Sequence, residues 1–190
     1  QRAVFIQTAE LRHGAGVLVE KPLSTTLDDL PALYQALAGS RRAAAVAYDY
    51  RLLPGLSQMR DFLRSGTYGR ALQVCVSAGQ HFPTFRPAYR ETYYPHHAMG
   101  GGAIQDALTH LADAVQWLVG PATRLFCEAA HQSLADVEVE DTVCVVARHG
   151  DILVGYSLNQ FQAPNELTIH VHCETGSLRF ENHRQRWSGF

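Results

Sequence analysis

Val17-Leu18-Val19-Glu20-Lys21-Pro22-Leu23 is an apolar run that stops on an acid, a base and a proline. Such a run reads as a short buried strand, and the proline pushes Lys21 out of helical geometry where the strand ends. A second stretch completes the reading. Gly100-Gly101-Gly102-Ala103-Ile104-Gln105-Asp106-Ala107-Leu108-Thr109-His110-Leu111-Ala112-Asp113 begins on three glycines and continues as a helix. Asp106 and His110 are four residues apart, so both project from one face of that helix. A lysine at a strand end and an Asp/His pair near a helix start form a candidate proton-transfer constellation.

Outward from the first stretch, Val4-Phe5-Ile6-Gln7-Thr8 and Val17 to Glu20 are expected as strands of a parallel sheet covered on both faces. Thr26 is expected to cap a helix carrying Leu27, Leu30, Leu33, Tyr34 and Leu37 at helical spacing, closed by Gly39. Ala43 to Tyr48 is the next strand. This alternation is the closing half of a doubly wound sheet. The Gly-x-Gly-x-x-Gly turn that cradles a pyrophosphate does not precede Val4. Ala9 to Gly16 is also too short for a parallel crossover, so residues are expected to be absent there.

From Pro54 the pattern changes. Leu56, Met59 and Leu63 mark a helix ended by Gly66, and Ala71 to Gln80 is a long strand. An aromatic loop then leads to an apolar helix from Gly102 to Leu118. Five strands follow: Leu125 to Gln132, Asp141 to His149, Ile152 to Gln160, Glu166 to Cys173 and Ser177 to Glu181. The expected fold class is therefore α/β plus α+β. Residues 1–49 would be the closing part of a dinucleotide-binding domain without its glycine fingerprint. Residues 50–190 would be a substrate-binding domain, an open-faced and mostly antiparallel sheet with helices on one face. Val143-Cys144-Val145-Val146-Ala147 is apolar on both faces, so the bare face is expected to bury against a second copy.

Apolar content of 46% against 18% charged residues is that of an ordinary globular chain, and a net charge of -2 favours neither nucleic acid nor an anionic membrane. No apolar run approaches the roughly 20 residues of a membrane span. Cys75, Cys127, Cys144 and Cys173 are widely spaced in strand-like runs and read as buried free thiols of a cytoplasmic protein. His170 and His172 share a strand face, but Cys173 points to the other and no third ligand is spaced for zinc, so no metal is expected.

The order of these segments resembles the Gfo/Idh/MocA family of NAD(P)-dependent sugar and polyol dehydrogenases. The likeness rests on Glu20-Lys21-Pro22, then Tyr48-Asp49-Tyr50-Arg51, then Leu63-Arg64-Ser65-Gly66-Thr67-Tyr68-Gly69, then the glycine-opened helix with Asp106 and His110. It implies NAD or NADP as cofactor and hydride transfer to or from a secondary alcohol of a sugar or polyol. It also implies a homodimer, or a dimer of dimers, formed through the open sheet face.

On this resemblance Lys21 would polarise the reacting oxygen, His110 would move its proton and Asp106 would orient, the three being the catalytic set. Thr8, Glu20, Lys21 and Pro22 would touch the cofactor. Tyr48 and Arg51 match the family's Tyr-Asn-x-Arg segment beside the substrate, with Asp49 standing where the family has an amide. Arg86, Tyr89 and Tyr93 lie in a loop placed to cover the site, Arg86 and Tyr89 as substrate contacts. The rival expectation is a catalytically inactive remnant that keeps sugar binding or dimerisation.

Overall fold

The computed structural model describes residues 16–28, 30–182 and 186–189. The strand expected over 4–8, the short connection after Ala9 and Thr8 itself lie outside the described residues.

β1 (Val17–Val19) and β2 (Ala44–Val46) pair in parallel, with Leu18 opposite Ala45. Helix α1 (Leu30–Gly39) connects them and buries Leu33 against Val17, Leu23 and Leu37. The helix starts later than Thr26 predicted. Pro31 lacks an N–H and is tolerated only in a first turn, so a helix begun at Thr26 would carry it inside and lose a bond. The residues before it form turns instead, with the Leu30 N–H donating to the Leu27 carbonyl at 3.3 Å.

After a 3-10 turn over Asp49–Leu52, helix α2 (Pro54–Ser65) begins on its proline. It ends at Gly66, whose φ of 69° is the left-handed geometry that glycine adopts without cost. The main sheet comprises β3 (Ala71–Gly79), β4 (Arg124–Ala130), β5 (Thr142–His149), β6 (Ile152–Asn159), β7 (Glu166–Cys173), β8 (Ser177–Glu181) and β9 (Arg186–Gly189). Their order is β4-β5-β6-β3-β7-β8-β9, with β3 and β6 parallel and the other neighbours antiparallel. The long apolar helix is split into a π-helical turn, Ile104–Leu108, and α3 (Thr109–Val119).

Alternation along the strands decides which face is covered. Val74, Val76, Val143, Val154, Ile169 and Leu178 point one way and pack under Leu56 and Met59 of α2 and Leu111, Ala114 and Val115 of α3. Each large apolar side chain buried there is worth about 1.5–3 kcal/mol. On the other face no described helix lies, and Phe126, Val146 and Leu153 are exposed among polar neighbours. The same alternation corrects the reading of the thiols. All four are free, but Cys75 and Cys144 fall on outward positions of their strands and Cys127 on the edge strand β4, and all three are exposed.

The loop between β3 and the π turn is packed rather than open. Single helical turns at Phe82–Phe85 and Pro87–Glu91 bring Phe82, Tyr89 and Tyr94 onto Leu134, Val137 and Val139 as a second core. A Cβ on Gly101 would run into the Tyr94 carbonyl, so the glycine is required by the crossing of two chain segments. The Glu140 carboxylate then accepts the Ile104 N–H at 2.8 Å at the mouth of the π turn. No helix among the described residues is long and apolar enough to cross a membrane.

Leu56 is fully buried, whereas Leu52, four residues earlier, is 81% exposed. Leu56→Ala is expected to cost about 2–5 kcal/mol in urea unfolding, and Leu52→Ala less than about 0.5 kcal/mol.

Candidate active site

The carboxyl ends of the parallel pair β3 and β6, the start of β7, the π turn and Lys21, two residues beyond β1, meet around one cleft. It encloses about 460 Å³ and is lined by Lys21, Asp49, Tyr50, Arg86, Asp106, His110 and Gln160 among others. That volume lies in the range of small-ligand sites.

Asp106 is the centre of its charge. The side chain is 3% exposed, yet it carries a carboxylate, and a buried charge requires partners. Lys21 Nζ lies 3.4 Å from Oδ1 and donates to the Asp106 main-chain carbonyl as well. Arg86 Nη1 donates to Oδ2 at 3.1 Å, the Tyr93 hydroxyl to Oδ1 at 2.5 Å and Gln160 Nε2 to Oδ2 at 3.4 Å. Asp106 reaches these groups from within the π-helical turn, a departure from the regular helix ladder that recurs at functional sites. Burial and the bond to this carboxylate push the Tyr93 phenol up to about 12, so it stays a donor at neutral pH.

His110 lies one turn on and makes no hydrogen bond to Asp106. Its imidazole stacks on Tyr50 at 5.0 Å between ring centres and meets Tyr48 edge-on at 5.9 Å. Nδ1 lies 3.3 Å from an Asp49 carboxylate oxygen. Burial and the nearby Lys21 charge hold the imidazole below the ordinary histidine value, and Asp49, Asp106 and Asp113 oppose that shift. A neutral imidazole beside an ammonium group in a sheltered cleft can accept a proton.

The structure thus brings Lys21, Asp106, His110 and Arg86 into one cleft. Glu20 is exposed at the end of β1 and Pro22 is half-buried in the turn after it. Tyr48 reaches the site through the face of His110. Arg51 and Tyr89 are placed elsewhere. Arg51 turns to Asp113, with Nε 2.8 Å from Oδ2, and Tyr89 sits in the aromatic core with its hydroxyl on the Ala135 carbonyl. Each has a structural partner that sequence spacing did not reveal.

Gln160, Tyr94 and Tyr50 were not anticipated. Gln160 had a signal: Val154, Tyr156 and Leu158 point inward at every second position, and the next inward residue is an amide. It is 1% exposed and accepts from the Tyr94 hydroxyl. An amide at the end of an apolar alternation marks a polar pocket floor.

The fold is thus a sheet bare on one face, with Lys21, the buried Asp106 and His110 gathered over the ends of its central strands from the turn after β1, the π turn and α3. Residues 56–179 match the family model for the GFO/IDH/MocA C-terminal domain, and the chain belongs to this family. It is 24% identical over 205 residues to levoglucosan dehydrogenase of Pseudarthrobacter phenanthrenivorans, covering 95% of this chain and 53% of that protein. It is 31% identical over 113 residues to inositol 2-dehydrogenase 3 of Saccharopolyspora erythraea, covering 58% of this chain and 30% of that one. Among solved structures, levoglucosan dehydrogenase in complex with NADH shares the fold with a TM-score of 0.86 at 22% identity, over 96% of this chain and 52% of that one. The WlbA dehydrogenase from Bordetella pertussis, in complex with NADH and UDP-GlcNAcA, shares it with a TM-score of 0.84 at 21% identity, over 98% and 58%. The chain therefore spans about half the length of levoglucosan dehydrogenase, and less of the inositol enzyme.

Asp106→Asn leaves Lys21 in the cleft without its counter-ion. The expected loss is about 3 kcal/mol in urea unfolding. In the same variant the alkaline absorbance titration of Tyr93 moves down from about 12 toward the ordinary phenol value of 10.

Proposed function

We propose that the protein to which this chain belongs is an NAD(P)-dependent oxidoreductase acting on a secondary alcohol of a sugar or polyol. The observation that carries this reading is the convergence of Lys21, Asp106 and His110 on one cleft of ligand size. The names of the relatives, a levoglucosan and an inositol dehydrogenase, support the substrate class. The NADH complexes of similar folds support the cofactor.

The residues present fit part of a dinucleotide site. Glu20, Lys21 and Pro22 stand at the carboxyl end of β1, where open α/β sheets receive ligands, and Lys21 is aimed into the cleft. Thr8 would join them from outside the described residues. A bound nicotinamide would supply the hydride acceptor or donor. The chain's own residues do the rest. Lys21 donates to the reacting oxygen and stabilises negative charge on it. His110 takes the hydroxyl proton in oxidation and returns it in reduction. Asp106 holds Lys21 and Arg86 in place, and Arg86, half exposed, offers guanidinium donors to further substrate hydroxyls.

In this reading residues 1–49 belong to the cofactor-binding domain and 50–190 to the substrate and oligomerisation domain. The enzyme works in the cytoplasm as a homodimer or dimer of dimers. Its uncovered sheet face, with Phe126 and Val146 exposed, supplies the contact.

The test uses the full-length protein with NAD or NADP and a panel of sugars and polyols, followed by NAD(P)H absorbance. Lys21→Met and His110→Ala are each expected to lower kcat/KM by about a hundredfold to ten-thousandfold with the fold intact. Wild-type rates in both variants would overturn the roles. The pH profile is a separate check. Oxidation needs the neutral imidazole, and His110 is held below 6.5. The acid limb of kcat/KM for oxidation is therefore expected below the ordinary histidine midpoint, with the rate falling as pH drops through it.

A further inference from the structure

Asp106 and His110, four residues apart on one helix, invite the reading that Asp106 orients the imidazole. The geometry directs Asp106 elsewhere, to Lys21, Arg86, Tyr93 and Gln160. His110 Nδ1 is sealed from solvent and meets no full hydrogen-bond partner among the described residues. Buried ring nitrogens are ordinarily satisfied, so the nearest acceptor matters. That acceptor is Asp49 Oδ1, 3.3 Å away, an ion-pair distance without the geometry of a full hydrogen bond. Asp49 comes from the Tyr48-Asp49-Tyr50 segment, whose two tyrosines already hold the ring, one by its face and one by its edge. Three consecutive residues thus contact a single imidazole.

We propose that Asp49 is the positioning carboxylate of His110, accepting Nδ1–H so that the neutral ring is held as the tautomer with Nε2 free for the substrate proton. This deepens the dehydrogenase reading and rests on His110 being its proton-transfer group. Two observations support it. The ring keeps 17% side-chain exposure although Nδ1 has none, so its solvent-reaching edge is another one. Nε2 has no hydrogen-bond partner among the described residues, which leaves it available.

The other groups facing His110 are accounted for. Lys21 and Asp106 lie on the cleft side and neutralise one another at 3.4 Å. Asp113, on α3 itself, is taken by Arg51. Tyr48 and Tyr50 are both held above the ordinary phenol value, chiefly by burial, and stay uncharged. Asp49 is the one acid near the ring with no other cation on it among the described residues. Its side chain is 69% exposed, so replacing it leaves the core untouched.

The test reads the ring directly, by 15N NMR of the His110 imidazole across pH, in this chain as wild type, Asp49→Asn and Asp49→Ala. Wild type is expected as the Nδ1–H tautomer when neutral. Asp49→Asn keeps an acceptor but loses the charge, so the tautomer persists while proton affinity falls by about threefold or more. Asp49→Ala loses both, and the neutral ring becomes a tautomer mixture. An Nε2–H tautomer in wild type, or one tautomer and midpoint shared by all three proteins, would overturn the proposal. The failure of the parent reading looks different. If His110→Ala left full-length activity intact, the dehydrogenase roles would fall, while the tautomer and midpoint would still report whether Asp49 sets the ring.

Discussion

A carboxylate with 3% of its side chain exposed organises the cleft. Asp106 cannot remain ionised there alone, because removing an unpaired charge from water costs several kcal/mol. Its partners come from three parts of the chain: Lys21 after β1, Arg86 and Tyr93 from the packed loop, and Gln160 beyond β6. Satisfying one group therefore draws the small parallel sheet, the loop and the end of the large sheet to a common point. The Lys21 ammonium bonds both the carboxylate and the main-chain carbonyl of Asp106, which ties the end of β1 to the π turn.

The large sheet supplies the rigid floor. Its one parallel contact, β3 with β6, brings two strand ends to the same side, and the cleft opens over them. Helices α2 and α3 cover a single face, so the sheet is bound to be asymmetric. One face is a dry aliphatic layer, and the other mixes Phe126 and Val146 with thiols, hydroxyls and imidazoles. The catalytic candidates stand at the strand ends on the covered side. In the proposed enzyme, assembly through the bare face leaves that cleft open to ligand.

Much of the fold was legible because its elements carry strong local patterns. Period-two alternation marked β5, β6 and β7, and Gly66 marked the end of α2. The start of α1 at Leu30 departs from the Thr26 signal because Pro31 is tolerated only in a helix's first turn. In the site, Lys21, Asp106 and His110 were visible as polar residues at a strand end and a helix start. Arg51 and Tyr89 were associated with the substrate by resemblance, and their actual partners, Asp113 and the aromatic core, are 62 residues away in the first case and assembled by the loop in the second.

What the amino-acid order determined by itself was local: which runs form strands, where glycine and proline end them, and that a lysine and an Asp/His pair lie outside the apolar pattern. Helical spacing placed Asp106 and His110 on one face, but it could not say that they take different partners. That was decided by tertiary structure. The π turn and the arrival of Lys21 85 residues away claim Asp106, while the 3-10 turn at Asp49–Leu52 brings Asp49 and its flanking tyrosines onto His110. The physical reason is that a buried charge or ring nitrogen takes whichever partner the packed chain delivers to it, and neighbours in space are set by the fold, not by the spacing of residues along the chain.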